Sequence, residues 1–117
     1  MPGALSTNLD ALMKFIVESH PIDNDHYPDA DLGTDAKRRI FGIGHLLLHM
    51  NKSTGVIAGQ LEGCDHGCDL SHEELRVAIV KMVVNSLRMA ELAKLTPEEI
   101  VRLIPEVIKA SRGDTHP

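Results

Sequence analysis

A chain of 117 residues, 43% hydrophobic and 25% charged, has the length and composition of one ordinary globular domain. Aromatic residues are 3% with no Trp, so any core must be aliphatic. The net charge of −5 argues against nucleic-acid binding, and no apolar run reaches the roughly 18 residues of a membrane-spanning helix.

The start, Met1-Pro-Gly-Ala, lacks the basic and apolar regions of a signal peptide. Cys64 and Cys68 are too few for a secreted disulfide framework. The expected location is the cytoplasm. Charge is uneven along the chain. Residues 1–35 hold seven acids and one base, residues 36–61 four bases and no acid, and residues 62–74 five acids.

Leu9, Leu12, Met13 and Ile16 recur at helical spacing, and Ser6, Thr7 or Asn8 can cap them, so a first helix is predicted over about residues 8–19. His20-Pro21 ends it. Residues 20–34, rich in Asp, Pro and Gly, read as a solvated acidic loop. Its acids do not follow the EF-hand spacing.

A second helix starts at Thr34 or Asp35. Ile40, Ile43, Leu46, Leu47, Met50 and Ile57 share one side of it, whereas Arg38, His45, His49 and Lys52 lie roughly opposite. Gly42, Gly44, Gly55 and Gly59 disfavour helix unless a neighbour must come close, and Ser53-Thr54-Gly55 reads as a kink or short break. Glu62–Leu70 reads as a turn.

Ser71 opens a third helix with Glu74 in the capping-box place, extending to about Leu95. It is apolar on almost every side, which suits a central position or a second subunit. Lys81, Asn85 and Arg88 form its one polar stripe. Thr96-Pro97-Glu98-Glu99 opens a fourth helix that Pro105 should kink. Residues 111–117 read as a tail. The expected fold is all-α: a four-helix bundle in a single domain (1–117), ordered over about 8–110.

Two constellations carry chemistry. His45, His49 and Lys52 on the second helix and Lys81, Asn85 and Arg88 on the third form a cationic slot if their stripes face each other, suited to phosphate or carboxylate. Otherwise they are two solvated stripes. Cys64, His66 and Cys68 have zinc-ligand chemistry but make half a usual set, so a plain turn with two thiols is the competing reading. No nucleophile elbow or glycine-rich phosphate loop is present.

The order of elements resembles the all-α nucleotide pyrophosphohydrolases, the MazG-like proteins, over about residues 8–110. It comprises a short helix, an Asp/Pro loop, a long helix, a Gly-containing turn, an apolar helix and a Thr-x-Glu-Glu-led helix. In that family Glu-Glu-x-x-Glu on helix 2 and Glu-x-x-Asp on helix 3 hold Mg²⁺, and the products are a nucleoside monophosphate and pyrophosphate. Aligned on Thr96–Glu99 and on the apolar pattern of helix 2, those positions hold Leu48, His49 and Lys52, and Ala78 and Lys81. None is a carboxylate, so Mg²⁺ is not expected.

The resemblance implies a degenerate member: a homo-oligomeric binding or interaction protein, with a small anionic, phosphate-bearing ligand in the cationic slot. Two alternatives stand. One is an active pyrophosphohydrolase with a shifted metal site at Glu62, Glu73 or Glu74. The other is a small zinc protein using Cys64 and Cys68.

Overall fold

The computed structural model describes residues 2–113, with side chains from residue 8. Four helices follow in order: α1 (Pro2–Ser19), α2 (Asp35–Asp65), α3 (His72–Leu92) and α4 (Pro97–Ser111). No strand occurs among the described residues. The helices begin where short polar side chains satisfy their first N–H groups. Thr34 Oγ1 accepts from the Lys37 N–H at 3.1 Å, and Ser71 Oγ from that of Glu74 at 3.4 Å. Thr96 and Glu99 form the reciprocal box, with Thr96 Oγ1 accepting from the Glu99 N–H at 3.1 Å and Glu99 Oε1 from the Thr96 N–H at 2.9 Å. At Ser71 the box is not closed by Glu74. Gln60 Oε1 takes the Ser71 N–H at 2.7 Å, and Gln60 Nε2 donates to Glu74 at 2.6 Å, tying α2 to the start of α3.

Several boundaries differ from the sequence expectation. Helix α1 begins at Pro2 rather than near Asn8, since Pro fits a first helical position; the candidate caps Ser6 and Thr7 lie outside the described side chains. Helix α2 is continuous through Ser53-Thr54-Gly55 and on through Glu62–Asp65, which reduces the predicted turn to the residues from His66 on. Gly67, at φ +86°, makes the reversal there. Helix α3 stops at Leu92 instead of Leu95, because Lys94 adopts a left-handed φ of 63°. Helix α4 runs through Pro105 to Ser111, and residues 114–117 of the expected tail lie outside the described residues.

Helices α2 and α3 pack as an antiparallel hairpin, and α1 lies against both α3 and α4. The loop between α1 and α2 is not simply a solvated acidic segment. Its Ile22 is buried with Leu46 and Leu92, and Tyr27 and Leu32 pack on that cluster. Its acids are partly paired: Asp31 accepts from Lys37 Nζ at 2.8 Å, and His26 Nδ1 lies 2.7 Å from Asp23 Oδ1. These partners hold both carboxyls below the usual Asp range.

Helix α2 does not turn its apolar side squarely onto α3. The residues it buries are Gly42, Leu46 and Ser53. Among the glycines of α2, Gly42 alone is met closely by α3. A Cβ there would sit 2.6 Å from Cδ1 of Leu92, a side chain only 1% exposed. One turn earlier, Arg39 donates from Nη1 to the carbonyls of Glu91 and Leu92 at 3.0 and 2.9 Å, and from Nε to Asp35 at 2.8 Å. It thereby caps the C-terminal carbonyls of α3. As a result Ile40, Leu47 and Leu61 remain 73%, 52% and 58% exposed. Helix α3 contacts both α2 and α1, yet it leaves Ile79 and Val83 about half exposed.

The close approach at Gly42 gives a direct test. Gly42→Ala should destabilise the fold by about 1–3 kcal/mol despite the better helix propensity of Ala. Gly55→Ala, with nothing within 4 Å of the added Cβ, should stabilise by up to about 1 kcal/mol. Denaturant midpoints of the two variants check the opposite signs.

Candidate functional site

The face of α2 that carries His45, His49 and Lys52 turns toward α3, and the α1–α2 loop folds over one end. Together they enclose a cavity of about 860 Å³. The α2 side supplies His45, His49 and Lys52, and α3 supplies Lys81 and Asn85. The helical period accounts for this: positions i, i+4 and i+7 of α2 and i, i+4 of α3 each fall on one face. The rest of the wall is largely apolar, including Ile22, Tyr27, Val56 and Val84.

Five of the six residues named for the cationic slot therefore line one cavity. Arg88 does not. It is 2% exposed, donates from Nε to the His20 carbonyl at 2.8 Å, and pairs with Glu91. Those partners make it the link that fastens the end of α1 to α3. The stripe prediction failed at this position because α1 arrives there, and the spacing of polar residues on α3 cannot reveal α1.

An aromatic chain orders the histidines. Tyr27 stacks edge-on against Phe41 and His45, with ring centroids 5.1 and 4.8 Å apart, and Phe41 lies nearly parallel to His45 at 5.8 Å. His45 and His49 then meet Nε2 to Nε2 at 3.0 Å. One ring must donate and the other accept, so at least one is neutral while this bond is made. Burial, with the nearby charges of His45, Lys52 and His20, lowers the His49 pKa. Lys52 and Lys81 make no hydrogen bond or ion pair among the described residues, which leaves them as donors for a guest.

Glu73 and Glu74 also border the cavity. They are consecutive on a helix and so project about 100° apart, and Glu74 is already held by Gln60. Of the five positions matched to MazG-like metal carboxylates, His49, Lys52, Ala78 and Lys81 line the cavity, while Leu48 points to solvent at 62% exposure. A methyl group, an imidazole and two ammonium groups do not fit Mg²⁺, which requires hard oxygen ligands. Cys64 and Cys68 are both exposed free thiols. No cluster of three or more His, Cys, Asp or Glu side chains suited to a metal occurs among the described residues. A shallower cleft of about 580 Å³ between α1 and the α3–α4 junction contains none of the candidate site residues named from sequence.

No protein-family model, curated protein or solved structure matches the chain.

The electrostatics of the histidine pair predict its titration. An NMR titration should place the His49 midpoint below the ordinary value of about 6.5. His45→Asn should move it upward by removing a neighbouring cation. Since the folded-state pKa is the depressed one, His49 costs no stability above the unfolded value. The cost appears as pH falls through that value and grows until the folded ring is protonated. For Arg88, Arg88→Ala should destabilise the fold by about 2–4 kcal/mol, because the His20 carbonyl and Glu91 lose their donor. Chemical denaturation measures this.

Proposed function

We propose that this chain is a helical binding protein whose cavity between α2 and α3 takes a small organic phosphate, without Mg²⁺-dependent pyrophosphohydrolase chemistry. One observation carries the reading: Lys52 and Lys81, from two helices, border the same cavity as His45, His49 and Asn85, and neither lysine has a partner among the described residues. Two ammonium groups, an amide and an imidazole pair supply donors for phosphate oxygens. The Tyr27–His45 stack and the valine-lined wall suit the flat or apolar remainder of an ester.

The MazG-like resemblance fits this reading. Four of the five positions that would hold a metal in that family, His49, Lys52, Ala78 and Lys81, border the cavity here. Positive side chains then take the place of the metal opposite a phosphate. The competing enzymatic reading rests on Glu73 and Glu74, which border the same cavity.

Calorimetry with inorganic phosphate, pyrophosphate and a nucleoside triphosphate, without divalent metal, tests the proposal. Binding should weaken about tenfold in Lys52→Ala and in Lys81→Ala. It should be unchanged in Arg102→Ala, an exposed cation on α4. Affinity should rise as pH falls from 8 to 6, because a bound anion favours protonated His49. Absence of binding to all three anions would end the proposal. Pyrophosphate release with Mg²⁺ or Mn²⁺ would establish the enzymatic reading in its place.

A further inference from the structure

The chain as a whole exposes more surface than a lone compact chain of this size should, and exposed apolar residues of the α2–α3 hairpin are part of it. A compact monomer of 12.8 kDa exposes about 6,300 Å² by surface scaling, whereas this chain exposes 8339 Å². The radius of gyration is 17.3 Å against about 13 Å for a compact domain of this length. The excess, about 2,000 Å², exceeds the roughly 800 Å² that each partner buries in a standard stable interface.

The open surface has a pattern. Ile40, Ile43, Leu47, Met50, Ile57 and Leu61 on α2, with Thr54 between Met50 and Ile57, follow each other at steps of three and four residues. This is the a/d repeat of a coiled-coil seam, sustained for three heptads. Half of its width is uncovered. Ser86 Oγ reaches Met50 Sδ at 3.9 Å, which places that side of α3 beside the seam. The same helical face of α3 adds exposed Ile79 and Val83. The seam lies on the side of the hairpin away from the cavity, since His45, His49 and Lys52 occupy another sector of α2.

Charge selects the occupant and its direction. The first turns of α2 hold Lys37, Arg38 and Arg39, and its last turn holds Glu62 and Asp65. Apart from Asp35, both ends oppose the dipole of their own helix. A second α2 running antiparallel reverses that disadvantage, setting the basic end of each helix beside the acidic end of the other. Counting Ile40 as position a, Asp65 and Lys37, which also reaches Asp31 of its own chain at the surface, both fall at position e. In an antiparallel pair the e positions face each other. A two-fold at the height of Lys52 places Ile43 opposite Leu61, Leu47 opposite Ile57 and Lys37 beside Asp65 of the second copy.

We infer that the α2 seam is the interface of an antiparallel homodimer, in which two α2–α3 hairpins bury the Ile40–Leu61 face against each other. The proposal is independent of any ligand in the cavity.

Sedimentation equilibrium of the whole chain tests it. The wild type should be dimeric at about 10 μM, with association weakened at least hundredfold in Leu47→Asp and unchanged in Leu48→Asp, which lies off the seam. Should Leu47→Asp fail to fold, as judged by circular dichroism, exposed charges decide. Lys37→Asp and Asp65→Lys should each weaken the dimer about tenfold, and the double swap should return it to within about twofold of wild type. A wild type that is monomeric at about 100 μM overturns the proposal. A double swap that stays as weak as the single variants overturns the antiparallel seam.

Discussion

The contact between Gly42 and Leu92 sets the geometry of the whole hairpin. Leu92 is the most deeply buried side chain, and it reaches that depth because α2 offers no Cβ at the point of approach. Arg39 secures the same junction by binding the last carbonyls of α3. With the helices locked at this end and by Gln60 at the other, the rotation of α2 about its own axis is fixed. The rotation turns a strip of small and polar residues onto α3. Everything else follows from it. The histidine–lysine face becomes one wall of a cavity, and half of the apolar face is left looking outward.

The positive charge of α2 and α3 divides into two roles by partner. Arg39 and Arg88 are structural: each spends its guanidinium on main-chain carbonyls and a nearby carboxylate. Lys37 and Arg38 are paired at the surface with Asp31 and Asp35. Lys52 and Lys81 have no such partner among the described residues, and both border the cavity. The forked guanidinium, with five fixed donors, suits the first role, and the single mobile ammonium suits the second. The basic character of α2 in sequence is thus mostly consumed within the fold, and what remains for a guest is narrow.

Local chemistry was legible in the sequence and lateral packing was not. Thr34, Ser71 and Thr96 cap helices because their hydroxyls answer N–H groups two or three residues away, a relation that sequence states directly. The convergence of His45, His49 and Lys52 with Lys81 and Asn85 was likewise readable, since it needs only helical period and a short connection. Arg88 was misread because its partners, the His20 carbonyl and Glu91, depend on where α1 crosses α3. The side of α2 that packs on α3 was not legible for a related reason. A helical wheel tells which sector is greasy, but α3 packs on the sector holding Gly42 and Ser53, where the Leu92 side chain can come close. Gln60 took a cap that the Ser71–Glu74 spacing assigned to Glu74, again through a contact distant in sequence.

These choices leave one helix serving two surfaces at once, and the helical period permits it. Along α2 the cavity residues recur at 45, 49 and 52 and the seam residues at 40, 43, 47, 50, 57 and 61, so the two sets never share a position. Each sector keeps its own spacing of three and four. A change in one therefore leaves the other chemically intact, provided the backbone stays helical through Gly44, Gly55 and Gly59. Those glycines have nothing of this chain over them, and each lowers the intrinsic stability of α2. An isolated helix carrying them would be weak. Its 31 residues are held straight by α3 along one sector, and a second copy along the seam would hold a further sector. In that arrangement the dimer supports the wall on which the cavity is built without contributing to its lining.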